Sequence, residues 1–388
     1  MIEEISEVLQ SLGVRRVVLH GYRTPNHTHH WIMQAMHRTL EAVAAVRPFE
    51  LQWVGHGERL PPGLLDGALV VGNLNTDGVH WGLPLNGRAH YIIHNHNPRK
   101  LDGHQFDPLV RAGRCVFYEV FRGRNQDESY EALPNEPFHF RSLSAANLVM
   151  IWATDLLPDE IEENMCAVRD CPARPDRRSV RFIGSIWRVN QEQIREVIDY
   201  CITHGLRFEQ YGKYVADTFE RIRHPQVSFH PSPVDVAENA RLVREALLAP
   251  AIQGRGQLIN SDEHGNYIPC RVIKNISYGN YGITNNYSAN ELFGQRLIYH
   301  REVPALLKLA HESVTQDPNT DLLVELMDDI RRNHTYLNRM HTLLCFLRDR
   351  VDFLGGHSRV SLGGAARLRW STGAGAVRRR FRPASGTG

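Results

Sequence analysis

GNYIPCRVIKNISYGNYGITNN, residues 265–286, is the stretch whose pattern decides the fold. Ile268, Val272, Ile273 and Ile276 share one face at helical spacing, and Arg271, Lys274 and Asn275 lie towards the other. Pro269 suits a first helical turn, where its missing N–H costs no hydrogen bond. Gly279 suits the helix end, and Tyr281-Gly282-Ile283-Thr284 can return as a short strand. A helix that starts beside Arg271 and Lys274 suits a diphosphate, because free N–H groups and cations act together there. A solvated amphipathic helix has the same pattern, so the stretch alone leaves both readings open.

Upstream of it, an α/β series starts at residues 180–183, a strand that runs into the tight turn Gly184-Ser185. A helix follows, with Ile194, Val197, Ile198, Cys201 and Ile202 at one face and Gly205 as its cap. Strands are expected at 206–211, 227–229 and 249–253, with a helix near 238–248. Downstream, helical patterns cover 303–314 and 322–347.

Nearer the amino end, apolar runs at 17–19, 49–54, 68–71, 91–93, 115–118 and 148–152 read as strands, with a helix through Ile32, Ala35, Met36, Leu40 and Val43. Buried strands joined by helices or loops predict parallel sheets covered on both faces, an α/β class. The expected division is a first domain at 1–157, a linker at 158–178 where Pro172 and Pro175 follow an acidic run, a second domain at 179–330, a closing helix at 331–354 and a Gly- and Arg-rich tail at 355–388. The tail has too few apolar residues to pack and is predicted to be disordered.

The chain has 388 residues, enough for two domains. Its 45 basic and 43 acidic residues nearly cancel, so no global field selects nucleic acid or membrane. The seven arginines after Asp352 (359, 367, 369, 378, 379, 380 and 382) meet no acid, which leaves residues 1–352 at a net charge of −5. The acidic, amphipathic start lacks a secretory pattern. The most apolar stretch, 148–157, is short and interrupted by Asp155, whereas a membrane span needs about 20 apolar residues. Six scattered cysteines suggest neither a disulfide framework nor a four-cysteine zinc site. A reduced, cytoplasmic protein is expected, without integral membrane association, and its Asn-x-Ser/Thr triplets at Asn26, Asn275, Asn286 and Asn333 then go unused.

Ligands of open parallel sheets sit outside the carboxyl ends of the strands. In the first domain those ends lead into HGYRTPNHTHH (20–30), NLNTDGVHW (73–81) and HNHNPRK (94–100), which should bring His20, His27, His29, His30, Asp77, His94 and His96 toward one cleft. With 21 histidines in the chain, several fall in loops by chance. His27-x-His29-His30 and His94-x-His96 resemble zinc ligand pairs, but no H-E-x-x-H, cysteine or carboxylate stands at ligand spacing beside them. No G-x-G-x-x-G, P-loop or G-x-S-x-G motif is present, which argues against a dinucleotide fingerprint, a P-loop NTPase and a nucleophile elbow.

The layout resembles glycosyltransferases of the GT-B fold: two Rossmann-like domains facing across a cleft, with a last helix that crosses back. The carriers are IPCRVIKNISYGNYGITN, which is similar to the nucleotide-sugar element of their second domain, RFIGSIW (181–187), which looks like that domain's first turn, and RTPNHTHHWIMQAMHRTLEAV (23–43), which is similar to the start of acceptor domains. The likeness spans residues 14–345 and is strongest over 178–300. It implies transfer of a sugar from a nucleoside-diphosphate sugar to a glycan or other hydroxyl acceptor, with neither metal nor cofactor and no nucleic-acid partner. The donor residues it implies are Gly184, Ser185, Arg188, Gln253, Gly254, Tyr267, Pro269, Arg271, Lys274, Asn275, Gly279, Thr284 and Asn285.

Many retaining members carry two glutamates seven residues apart around this helix. Here Lys274 and Asn275 occupy the region, which points to an inverting transfer and leaves the ribose to Asn275, Ser277 or Thr284. The base is then expected among His27, His29, Asp77 and His94, and histidine has the better resting pKa for it. Rival readings are a nucleotide-sugar epimerase of the same fold, a non-catalytic His-rich metal-binding protein, and a tail that binds nucleic acid or acidic membrane.

Overall fold

The computed structural model describes residues 1–25, 28–61, 63–73, 83, 85–95, 105–120, 130–133, 136–142, 146–171, 176–214, 219, 222–231, 234–256, 258 and 267–360. The first unit runs α1 (Ile2–Ser11), β1 (Arg16–His20), α2 (Thr28–Val46), β2 (Glu50–Val54), β3 (Ala68–Asn73), β4 (His90–His94), α3 (Asp107–Arg111), β5 (Cys115–Glu119), β6 (Tyr130–Leu133), β7 (Glu136–Ser142) and β8 (Asn147–Val149). Its eight strands lie in the order β2-β1-β3-β4-β5-β8-β7-β6. They are parallel from β2 to β8, with β7 and β6 added antiparallel. β3 and β4 are buried at every position, which is why they read as continuous apolar runs.

Helix α4 (Pro158–Asp170) leads to the second unit: β9 (Asp176–Ile183), α5 (Gln191–Thr203), β10 (Arg207–Tyr211), β11 (Val227–His230), α6 (Val236–Glu245), β12 (Ala246–Leu248), α7 (Cys270–Ser277), β13 (Ile283–Thr284), α8 (Tyr287–Leu292), β14 (Ile298–Tyr299), α9 (Val303–Gln316), α10 (Thr320–Asn333) and α11 (Tyr336–Val360). Four strands pair as β11-β10-β9-β12, and a parallel bridge from Ala251 to Thr284 joins them to β13-β14. The spatial order 3-2-1-4-5-6 is that of a Rossmann sheet, whose strand order reverses between β9 and β12.

The chain crosses between the units twice, at neighbouring places. Thr154 pairs with Thr335, and its N–H donates to the His334 carbonyl at 3.0 Å. Arg339, 2% exposed, clamps both crossings, donating to the carbonyls of Ile151 (2.9 Å), Trp152 (3.4 Å) and Asn333 (3.1 Å) and to His334 Nδ1 at 3.0 Å. Burial first, and the Arg339 charge second, push His334 well below its ordinary range, so its neutral ring can accept that bond. Beyond the crossing, Tyr336, Leu337, Met340, Leu343, Leu344 and Leu347 are buried in the first unit's core with Ile5, Val8 and Leu9 of α1.

Several elements differ from the sequence reading. The expected linker is largely helix α4, whose Ile161, Met165 and Val168 join the second core. The helix expected at 322–347 is two, α10 and α11, broken at the second crossing. The helix expected to reach 248 ends at Glu245 and passes directly into β12. The hairpin β6–β7 was not foreseen, since Pro137 and the charges around it mask any alternation. The last helix runs to Val360, six residues past the end expected for it and into the stretch expected to be disordered, and residues 361–388 of the tail lie outside the described residues. Among the described residues, no helix is long and apolar enough to cross a membrane.

Candidate functional site

The reversal point of the second sheet is where a ligand would be expected, and a guanidinium reaches it. Arg271, in the first turn of α7, donates from Nε to the Ile183 carbonyl at 2.8 Å and from Nη1 to the Ile252 carbonyl at 3.4 Å. Its guanidinium carbon lies 4.1 Å from the centroid of the Phe182 ring. One side chain thus spans the ends of β9 and of the chain beyond β12. Burial lowers its pKa, but a guanidinium keeps its charge in any case. Among the described residues no carboxylate pairs with it, while Cys270 and Tyr267 favour its charge and the Lys274 ammonium opposes it.

Glycine is required beneath it. Gly184 has φ +139°, and a Cβ there would stand 2.3 Å from Arg271 Nη2. Gly212, with φ +133°, backs the same turn, and Gln210 Nε2 donates to the Gly184 carbonyl at 2.8 Å. Beyond the turn, Ser185 is half-buried and Arg188 exposed, while Trp187 is 51% and Val189 55% exposed.

The wall beyond β12 is built from amides. The Asn285 side chain accepts from the Gln253 N–H and donates to its carbonyl, both at 2.9 Å, and so continues the sheet where β13 has ended. Asn286 Nδ2 donates to Gln253 Oε1 at 2.5 Å and to the Tyr267 carbonyl at 3.0 Å. Thr284 Oγ1 donates to the Ala251 carbonyl at 3.2 Å. Gly254 touches the start of α5 so closely that a Cβ would lie 1.6 Å from the Val189 oxygen. Pro269 is buried as the residue preceding α7, and Tyr267 packs against the first unit's core.

The structure therefore brings Gly184, Ser185, Arg271, Gln253, Gly254 and Asn285 to one crevice, with Arg188 at the turn that leads out of it. Lys274, Asn275 and Gly279 face elsewhere. Lys274 Nζ donates to Asp155 Oδ2 at 2.6 Å, and the Tyr278 hydroxyl donates to Asp155 Oδ1 at 2.5 Å. Burial works against the lysine's charge, but Asp155 outweighs it and the pKa is raised. Asn275 Nδ2 donates to the Ala249 carbonyl at 2.6 Å, and Thr154 and Ser277 share a hydroxyl bond at 2.7 Å. Gly279 ends α7 at φ +96°, where a Cβ would meet Val168 Cγ2 at 2.8 Å. Helix α7 is thus fastened to the first crossing by one edge while the other serves the crevice. Sequence reading missed Asp155 as the anchor, although a lone acid inside an apolar run was its signal.

In the first unit the carboxyl ends of β1, β3 and β4 gather aromatic and imidazole rings. His94, 1% exposed, donates from Nδ1 to Asn73 Oδ1 at 3.2 Å. Its ring lies 5.3 Å from His29, 4.9 Å from Tyr118 and 5.2 Å from Trp152. Tyr22 stacks on His29 at 5.1 Å, and His56 stands edge-on to both Tyr22 and His20. His30 bonds the Tyr22 carbonyl at 2.9 Å through Nδ1 and stacks on Trp53. His27, Asp77 and His96 lie outside the described residues. Among the described residues, no three His, Cys, Asp or Glu side chains form a metal-holding group.

No family model matches this chain, and no curated protein matches it by sequence. Solved structures do. An alpha-glucosyltransferase in complex with UDP and a 13-mer DNA containing a central A:G mismatch superposes with a TM-score of 0.54 at 8% identity, over 82% of this chain and 96% of that one. The N-terminal domain of Candida albicans trehalose-6-phosphate phosphatase gives 0.48 at 9%, over 87% and 97%. The catalytic domain of starch synthase IV from Arabidopsis thaliana, bound to ADP and acarbose, gives 0.43 at 13%, over 90% and 75%. The fold is that of GT-B glycosyltransferases: two Rossmann-like units facing across a cleft, closed by a helix that returns to the first.

Proposed function

We propose that the protein is a glycosyltransferase that moves a sugar from a nucleoside-diphosphate sugar to an acceptor hydroxyl. The observation that carries this is Arg271, a half-buried cation whose charge burial disfavours, with carbonyl and ring partners, no described carboxylate, and a place at the reversal point of a Rossmann sheet. A cation withdrawn from water without a counter-charge is costly unless an anion completes it. The departing diphosphate is such an anion. Its charge grows as the glycosidic bond breaks, so a fixed guanidinium stabilises the transition state more than the bound donor. Arg188, exposed on the turn after β9, adds a second charge.

In this reading the reaction is inverting and needs no metal. A base from the first unit takes the acceptor proton as its oxygen attacks the anomeric carbon from the face opposite the diphosphate. His94 and His29 are its candidates among the described residues, and the Tyr22, Tyr118 and Trp152 rings packed around them fix their positions. The acceptor is a glycan or another hydroxyl-bearing molecule.

The test is titration of UDP, ADP and GDP into the wild type and Arg271→Ala, with and without EDTA. One nucleotide is expected to bind, and the variant to lose about ten-fold to a hundred-fold in affinity, the range of a hydrogen bond to a charged group. EDTA should change neither result. Equal affinity in the two proteins would remove the donor site from this crevice. The anomeric configuration of the product, read by NMR, decides inversion against retention.

A further inference from the structure

A cavity of about 180 Å³ opens beside the crevice, between the start of α5, Arg255 and Leu258, Asn285 and the start of α9. A water takes about 30 Å³, so the space equals about six waters and has room for one furanose ring. Its polar lining has both signs. Gln193 is 4% exposed, and its Nε2 finds no partner among the described residues. Glu196 is tied to Arg255 at 3.7 Å. Glu302 leads into α9 without capping it, and its charge reaches Glu196, whose pKa is raised by burial, lowered by Arg255 and raised again by Glu302. Arg301 completes the rim.

The cavity and the Arg271 crevice share a wall. Asn285 lines the cavity and bonds both backbone groups of Gln253. Arg271 holds the Ile252 carbonyl, and Arg255 lies three steps along the chain from Ile252, at most about 10 Å. Meanwhile the side chains expected to meet the ribose are engaged elsewhere. Asn275 donates to Ala249, Ser277 bonds Thr154 and the Lys274 carbonyl, and Thr284 donates to Ala251, with exposures of 4%, 0% and 0%.

We propose that this cavity takes the ribose of the donor nucleotide, with the Glu302 carboxylate accepting from its 2′,3′-diol and the Gln193 amide donating to a ribose oxygen. A carboxylate accepts two hydroxyl donors at once, and the same chemistry holds the ribose at the reversal point of dinucleotide-binding sheets. Here the carboxylate comes from the loop before α9 instead of from α7, because α7 has given its Lys274 and Asn275 to the crossing and to the sheet. The inference rests on the donor-site reading above.

The experiment titrates UDP, ADP and GDP, each beside its 2′-deoxy counterpart, and pyrophosphate, into the full chain by calorimetry. The ribonucleotide is expected to bind about ten-fold to a hundred-fold more tightly than its deoxy form, as suits a hydroxyl bonded to a charged acceptor. Glu302→Gln, at an exposed position where folding is not at stake, should reduce that ratio several-fold, weaken the deoxynucleotide less because only its 3′-hydroxyl remains to meet the carboxylate, and leave pyrophosphate affinity unchanged. Arg271→Ala should weaken all three kinds of ligand. A ribonucleotide that binds no better than its deoxy form, or a ratio kept in Glu302→Gln, overturns the ribose assignment and leaves the donor site standing. Failure of every nucleoside diphosphate to bind overturns both.

Discussion

The most exacting positions are two glycines and a histidine. At Gly184 an added methyl group meets a guanidinium at 2.3 Å in a backbone region that L-residues avoid. Gly184→Ala should therefore cost both stability, about 1–3 kcal/mol in strain, and nucleotide affinity, since Arg271 must move. Urea unfolding and calorimetry on one preparation separate the two effects. Gly254→Ala has no flexible neighbour to displace, because the obstacle is the Val189 backbone oxygen, so it should lower the unfolding midpoint more. His90 tests a different force. Burial, and then the Arg114 charge, push its pKa down to about 4 against the opposing Leu12 carbonyl. The unfolded chain binds that proton first, so the stability His90 contributes is complete above about pH 6.5 and is lost as pH falls towards 4. The slope of stability against pH in that window should flatten in His90→Gln.

At the scale of elements, α7 is the joint between donor site and domain crossing. Asp155 is 4% exposed, and Lys274 and Tyr278 both bond it. Removing one partner of a buried pair costs about 3–5 kcal/mol, because the other charge is stranded. Asp155→Ala and Lys274→Ala should each destabilise the protein by that order, and the double variant by clearly less than their sum in a thermodynamic cycle. The raised Lys274 pKa adds a sign: the pair stabilises below the ordinary lysine range, and its contribution fades as pH rises through the folded value.

The amphipathic face of α7, its glycine end and the returning strand were legible in residues 265–286, because local spacing sets them. The division of labour among its polar residues was not. Arg271 and Lys274 are chemically alike and three positions apart, and only the distant carbonyls of Ile183 and Ile252 and the distant carboxylate of Asp155 tell them apart. The break between α10 and α11 was hidden for the same reason, since it is imposed by the pairing of Thr335 with Thr154 and not by any local breaker.

Over the whole molecule, the two sheets and their cleft followed from strand order, which the alternation of apolar runs and helices conveyed. The crossings did not. They tie donor helix, acceptor unit and closing helix to one small region around Asp155, Thr154 and Arg339, so a change there should alter both halves. Arg339→Met keeps the volume but leaves the Ile151, Trp152 and Asn333 carbonyls without their donor. It should lower stability by several kcal/mol, and the splitting of a single unfolding transition into two would show that the clamp couples both units.

The closing helix also sets a timetable. The first unit's core takes Tyr336, Leu337, Met340, Leu343, Leu344 and Leu347 from α11, and these leave the ribosome about 190 residues after β8 is complete. At 5–20 residues per second that is a wait of roughly 10 to 40 s, during which α1 and α2 present an apolar seam with nothing to cover it. The nascent amino-terminal half is then a natural client for chaperones, and a chain released at residue 157 should be captured by them or aggregate, while the complete chain folds.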